Sequence, residues 1–173
     1  MTTGDDARAE PKPGDHPDFF RLPPPPGRSR ESTIVLSKEG RFFHEGTPVE
    51  HPGMQRAFAA WLRRHPDDGR YILSNGYDWS YLTVEGSSRF VQGVRNVDGR
   101  PLLVLLDGSE LPLEPAALRV DSAGRLSVAL EGGEPAAFTP AAQLQLSPWL
   151  FEQSDGIGML VDGVFSPIQP GGS

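Results

Sequence analysis

Gly40-Arg41-Phe42-Phe43-His44-Glu45-Gly46-Thr47-Pro48-Val49-Glu50-His51-Pro52-Gly53-Met54 is the stretch on which the reading of this chain turns. Residues 41–45 are strand-like, Glu45-Gly46 supplies a turn, and Pro48-Val49 keeps the chain extended up to Pro52. A proline suits the first position of a helix, because the N–H it lacks would have no partner there. Beyond it Met54, Ala57, Phe58, Trp61 and Leu62 follow the i, i+3, i+4, i+7, i+8 spacing of one buried helical stripe, with Arg56, Arg63 and Arg64 opposite. The spacing predicts a helix from Pro52 that stops at His65-Pro66, since a residue ahead of a proline avoids the α region. Asp67-Asp68-Gly69 then turns the chain. One run thus holds a strand pair, a turn and a helix start, and no catalytic motif.

Working outward, Thr33-Ile34-Val35-Leu36 reads as the strand before this run and Lys38-Glu39-Gly40 as the turn between them. Tyr71-Ile72-Leu73 is a further strand, and Asn75-Gly76 is a hairpin signal because both central positions of a tight turn want positive φ. Residues 77–84 follow as one strand, with Tyr77, Trp79, Tyr81 and Thr83 on one face as the packing surface of a sheet. Residues 89–97 make another, turned at Asp98-Gly99. The apolar run Leu102-Leu103-Val104-Leu105-Leu106 is expected to be buried on both faces. Thr139-Pro140 suits the cap and first position of a short helix carrying Leu144 and Leu146. Residues 159–165 suit a last hairpin, and the end from Pro167 is expected to fray. The fold class is α+β, predominantly antiparallel β hairpins with one clear helix and two related lobes. The expected division is a disordered Pro-rich arm at 1–31, a first α+β lobe at 32–100, a second β-rich lobe at 101–152 and a Gly/Pro-rich tail at 153–173.

Composition narrows the function classes. The 173 residues contain no Cys, which removes disulfides, thiolate metal sites and Cys nucleophiles. No apolar run approaches a membrane span, and Met1-Thr2-Thr3-Gly4-Asp5-Asp6 lacks the basic and then apolar character of a signal peptide. The expectation is a cytoplasmic protein that does not engage a membrane. A net charge of -7 argues against binding nucleic acid. No Lys or Arg follows Arg125, while Glu131, Glu134, Glu152, Asp155 and Asp162 do, so the C-terminal portion is acidic.

Two places invite a functional reading. In the Pro-rich arm, Phe19, Phe20 and Leu22 stand just before Pro23-Pro24-Pro25-Pro26, where apolar anchors beside a polyproline II run suit docking to a protein partner. The alternative is that they pack back on their own domain. His44, Glu45, Glu50 and His51 have metal-ligand character, yet His44 and Glu45 are strand neighbours that point to opposite faces. No metal, cofactor or catalytic residue is assigned. Ser87-Ser88 has no positioned base, and Gly156-Ile157-Gly158 lacks the third glycine and helix of a dinucleotide fingerprint.

An internal echo joins Phe43-His44-Glu45-Gly46 before Pro52, Leu106-Asp107-Gly108 before Pro115, and Leu130-Glu131-Gly132 before Thr139-Pro140. The run 40–49, its following helix, Tyr81-Leu82-Thr83-Val84-Glu85 and Leu118-Arg119-Val120 resemble the bacterial domain-of-unknown-function family twelve eighty-five over roughly residues 33 to 150. The resemblance implies a mixed α+β fold of two related lobes, a suggested role in signal transduction and no established enzyme activity. That family closes with a helix rich in aromatic and charged residues, whereas residues 154–173 here are rich in Gly and Pro. The functional expectation is a non-catalytic protein-interaction or signalling adaptor module. The alternative is a small-molecule-binding sensor or unrecognised hydrolase with a pocket between the lobes, lined by residues such as Trp79, Tyr81, His44 and Glu45.

Overall fold

The computed structural model describes residues 10–171. After 3-10 turns at Pro13–Asp15 and Phe19–Arg21 come β1 (Ile34–Leu36), β2 (Phe42–His44), β3 (Thr47–Pro48), α1 (Pro52–Trp61), β4 (Leu62–Arg64), β5 (Tyr71–Ser74), β6 (Trp79–Tyr81), β7 (Thr83–Val84), β8 (Arg89–Val97) and β9 (Arg100–Leu105). Then follow β10 (Glu110–Pro112), β11 (Leu118–Val120), β12 (Leu126–Val128), β13 (Ala136–Phe138), α2 (Pro140–Leu146), β14 (Leu150–Gln153), β15 (Gly156–Val161), β16 (Val164–Pro167) and β17 (Gln169–Pro170). The fold is α+β. Four sheets form, in the orders β3-β2-β1-β7, β4-β5-β6, β10-β9-β8-β13-β12-β11-β17 and β14-β15-β16.

The chain divides into two compact units whose boundaries differ from those expected. Among the described residues, unit 1 takes 10–32 and 61–82; unit 2 takes 33–60 and 83–171. A lobe boundary at 100/101 would cut β8 from β9, which pair from Val91↔Leu105 to Val97↔Arg100. Acidic-Gly pairs close three two-residue hairpins: Glu45-Gly46, Asp98-Gly99 and Asp162-Gly163, with φ of 51° and 77°, 53° and 82°, and 51° and 76°. Positive φ at both positions matches the right-handed twist of the flanking strands.

In unit 1 the described part of the arm is folded, not disordered. Phe19 and Phe20 are each 6 % exposed and pack with Ile72 and Trp79. The Pro-rich composition is offset by aromatic burial against β5 and β6 and by guanidinium contacts, neither visible locally. Residues 77–84 do not form one strand: β6 pairs with β5, whereas β7 runs parallel to β1, and the break falls at Leu82. Tyr77 is 65 % exposed in the loop after Asn75, whose Oδ1 accepts the Tyr77 and Asp78 N–H groups at 2.8 Å each.

In unit 2, Val91, Leu103, Leu118, Val128, Leu146 and Met159 lie at the centre of the core. Leu103 and Leu105 are buried while Leu102 and Val104 are half-buried, so β9 alternates rather than burying both faces. The α2 start is as the sequence implies: Thr139 Oγ1 accepts the Ala142 N–H at 3.2 Å and Pro140 follows it. Leu146 is fully buried, but Leu144 is 74 % exposed. Gln145 Oε1 accepts the Val94 N–H at 2.7 Å beside the irregularity between Val91 and Gly93, tying α2 to β8. Helix α1 ends at Trp61, four residues before His65, because Leu62–Arg64 pair with Tyr71–Leu73. None of its residues is fully buried; Met54 is 46 % exposed, and Phe58 meets Phe42 edge-on at 5.5 Å. The described C-terminal residues do not fray either, since Arg119↔Gln169 and Val120↔Pro170 pair β17 with β11; residues 172–173 lie outside the described residues.

Candidate interaction site

Unit 1 is organised around a buried histidine. His65 Nδ1 accepts the Asp67 N–H at 3.1 Å, so the ring proton sits on Nε2, which donates to the Phe20 carbonyl at 3.0 Å. Tyr81 stacks on His65 at 5.8 Å, and its hydroxyl donates to Asp68 Oδ2 at 2.5 Å. That bond holds the Asp68 carboxyl below its ordinary range and pushes the Tyr81 phenol up. Five cation–π pairs fall within this unit: Arg30 over Trp79, Arg63 over Phe20, Arg64 over Tyr71, Arg70 over Tyr81 and Lys12 over Tyr77. Such pairs ordinarily occur about once per 70–80 residues, and three of these five, those of Lys12, Arg30 and Phe20, staple the arm to residues 61–82. Ion pairs add to them: Arg70 grips both Glu31 oxygens at 2.8 and 2.9 Å, and Arg21 reaches Asp67 at 3.1 Å. In unit 2, Arg95 meets Glu110 at 2.5 Å and Arg100 meets Asp162 at 2.6 Å.

The expected docking residues are therefore split. Phe19 and Phe20 are core, and Leu22 alone of the three is open, at 55 % exposure. Trp79 is 6 % exposed beneath Arg30 at 4.4 Å, and Tyr81 lies beneath Arg70 at 3.7 Å, so both rings are already covered. His44 is exposed at the end of β2, Glu45 occupies the turn, Glu50 is exposed, and His51 Nδ1 accepts the Met54 N–H at 3.2 Å at the start of α1. Among the described residues no three His, Asp or Glu side chains come together as metal ligands. Ser88 donates a short hydrogen bond to Glu134.

A surface that sequence reading passed over lies in unit 2. In β14-β15-β16 the register pairs Leu150, Met159 and Ser166 on one face and Phe151, Gly158 and Pro167 on the other, with Leu160↔Phe165 beside them. Met159 is fully buried and Leu150 and Val161 pack on the core, so the Phe151 face points away from it. Phe151 is 46 % exposed there, with Leu160 and Phe165 half-buried. The Phe165 ring lies over Gly158: a Cβ at that position would sit 2.6 Å from Phe165 Cε2 and 2.7 Å from the Ser166 carbonyl oxygen. Gln153 shares the Phe151 face and is exposed, and Glu152 and Asp155 are exposed beside it in the chain. The signal was present in Phe151 and Phe165, but only pairing across the hairpin puts them on one face.

The arrangement is a mixed α+β architecture of four sheets, with no helix among the described residues long and apolar enough to cross a membrane. Its fold is DUF1285-like. A DUF1285 family protein from Silicibacter pomeroyi DSS-3 is similar to it with a TM-score of 0.58 at 20 % identity, over 95 % of this chain and 92 % of that one. A DUF1285 family protein from Shewanella baltica OS155 is similar with a TM-score of 0.50 at 14 % identity, over 69 % and 94 %. No protein-family model and no curated protein matches the chain.

Proposed function

We propose that this chain is a non-catalytic protein-interaction module of the signalling-adaptor kind, with the outer face of β14-β15-β16 as its docking surface. The observation that carries the reading is Phe151, 46 % exposed beside Leu160 and Phe165, on the face turned away from the core. Apolar side chains grouped on a sheet surface gain most when a partner removes them from water. The surroundings specify the partner's character: the chain has no Lys or Arg after Arg125, and exposed Glu152 and Asp155 follow Phe151 in the same hairpin. The partner is a protein segment that combines apolar side chains with Lys or Arg.

The test is quantitative affinity capture from the native host with the wild-type chain and Phe151→Glu, followed by rebinding of the purified captured protein. Phe151 is half open, so the substitution leaves the core intact and thermal unfolding unchanged. A protein that binds the wild type, loses at least about tenfold in affinity with Phe151→Glu, or roughly 1.4 kcal/mol, and weakens as salt rises supports the reading. Equal capture by both forms defeats it.

A further inference from the structure

We propose that Leu22-Pro23-Pro24-Pro25-Pro26-Gly27-Arg28 is a preformed polyproline II ligand for a partner domain whose groove is lined by aromatic rings and ends in a carboxylate that meets Arg28. This surface belongs to unit 1, whereas the Phe151 face belongs to unit 2. The conformation follows from sterics. Proline holds its own φ near −65°, and every residue before a proline is pushed out of the α region, so residues 22–25 are each confined to extended geometry. Leu22 has φ -67° and ψ 139°, and no peptide bond in the described chain is cis.

Both ends of the run are held. Upstream, Phe19 and Phe20 are core, and Arg30 Nη2 donates to the Leu22 and Pro23 carbonyls at 3.3 and 3.2 Å. The same guanidinium is anchored by Nη1 on Asp78 Oδ1 at 2.6 Å and on the Trp79 carbonyl at 2.9 Å. Downstream, the Arg28 N–H donates to the Pro25 carbonyl at 3.0 Å and Gly27 has φ 76°, which closes a turn with Pro26 and Gly27 at its centre, the pattern of type II. Five residues therefore stand extended between two anchors.

The side chains remain available. Leu22 is 55 % exposed, Pro23, Pro25 and Pro26 are exposed, and Pro24 is half-buried. A polyproline II helix repeats every three residues at about 3.1 Å each, so Pro23 and Pro26 share one edge about 9 Å apart and Leu22 and Pro25 another. Adjacent clefts between aromatic rings accept such ridges, and the ordering entropy has already been paid in folding. Arg28 is exposed, and its guanidinium has no hydrogen bond or ion pair among the described residues, unlike Arg21, Arg30 and Arg70 nearby. A free cation two residues beyond the run selects a groove with an acidic end.

The experiment titrates the full chain against immobilised SH3, WW and EVH1 domains. At least one domain binds, and a Pro23→Ala, Pro26→Ala double variant weakens that binding at least about tenfold. Arg28→Glu weakens it at low salt, with a smaller effect at high salt. The exposed Arg28 side chain makes no hydrogen bond or ion pair among the described residues, so this variant decides the matter even if the proline variant is destabilised. Phe151→Glu leaves the binding unchanged, which separates this result from the docking face of unit 2. Failure of every domain to bind, or binding that survives both the proline and the Arg28 substitutions, overturns the assignment.

Discussion

Replacing Phe20 with Ala is expected to unfold unit 1. The ring is 6 % exposed and meets Phe19 at 5.1 Å, His65 at 6.0 Å and Trp79 at 6.1 Å, with Arg63 over it at 4.5 Å. Truncating a buried Phe to Ala costs about 3–5 kcal/mol. Unit 1 has about 45 described residues, and at roughly 0.05–0.15 kcal/mol per residue its whole stability is about 2–7 kcal/mol. One side chain is thus comparable with the entire margin. Hydrogen exchange reads the outcome at the Gly14 N–H, bonded to the Gly76 carbonyl at 2.7 Å, and the Tyr81 N–H, bonded to the Arg30 carbonyl at 2.6 Å. Leu105 and Thr139, whose N–H groups bond the Ser109 and Val91 carbonyls, serve as references in unit 2. Protection at Gly14 and Tyr81 should vanish while the references persist. Protection unchanged within about 1 kcal/mol would refute the reasoning and return the arm to the role of a loose tail. Deleting residues 1–30 acts in the same direction and lowers the thermal stability of unit 1.

Gly158→Ala should destabilise unit 2 by about 1–3 kcal/mol in urea unfolding, because the new methyl meets the Phe165 ring and the Ser166 carbonyl oxygen, and backbone cannot step aside. Thr139→Ala removes the α2 cap and should cost about 1 kcal/mol by the same measurement. Acid should loosen unit 1. Hydrogen bonds from Arg21 and Tyr81 hold Asp67 and Asp68 below their ordinary 3.8, and one from Arg70 holds Glu31 below 4.5. A depressed carboxyl adds stability that is present above its ordinary value and lost as pH falls through the folded value. Exchange protection at Gly14 and Tyr81 should therefore decline as pH drops below about 4.5, and Tyr81→Phe should blunt the part due to Asp68.

Much of this was legible where the cause is local. Glu45-Gly46 and Asp98-Gly99 declare their turns because an acidic residue followed by Gly tolerates positive φ, and Pro52 and Thr139-Pro140 declare helix starts through the missing N–H and the side-chain cap. The failures share a different origin. Helical spacing carried α1 past Trp61, but pairing with β5 claims Leu62–Arg64, and no residue near position 62 announces a strand partner at position 73. The arm was misread because its stabilisation comes from Ile72, Trp79 and Asp67, some 46 to 59 residues distant in sequence from the groups they hold. Gln143 and Gln145 are inconspicuous in sequence, yet Gln143 Oε1 accepts the Leu126 N–H at 3.1 Å and Gln145 Oε1 serves β8. The Phe151 face was hidden for the same reason, since Phe151 and Phe165 reach it on different strands.

Unit 1 is assembled from two stretches separated by residues 33–60. During synthesis Phe20 is made some fifty residues before Ile72, against which it packs. At about 5–20 residues per second, that is an interval of roughly 3–10 s in which two phenylalanines and a proline run are accessible on the nascent chain. Docking of the arm is then a late event, governed by the emergence of β5 and β6 rather than by its own order of translation.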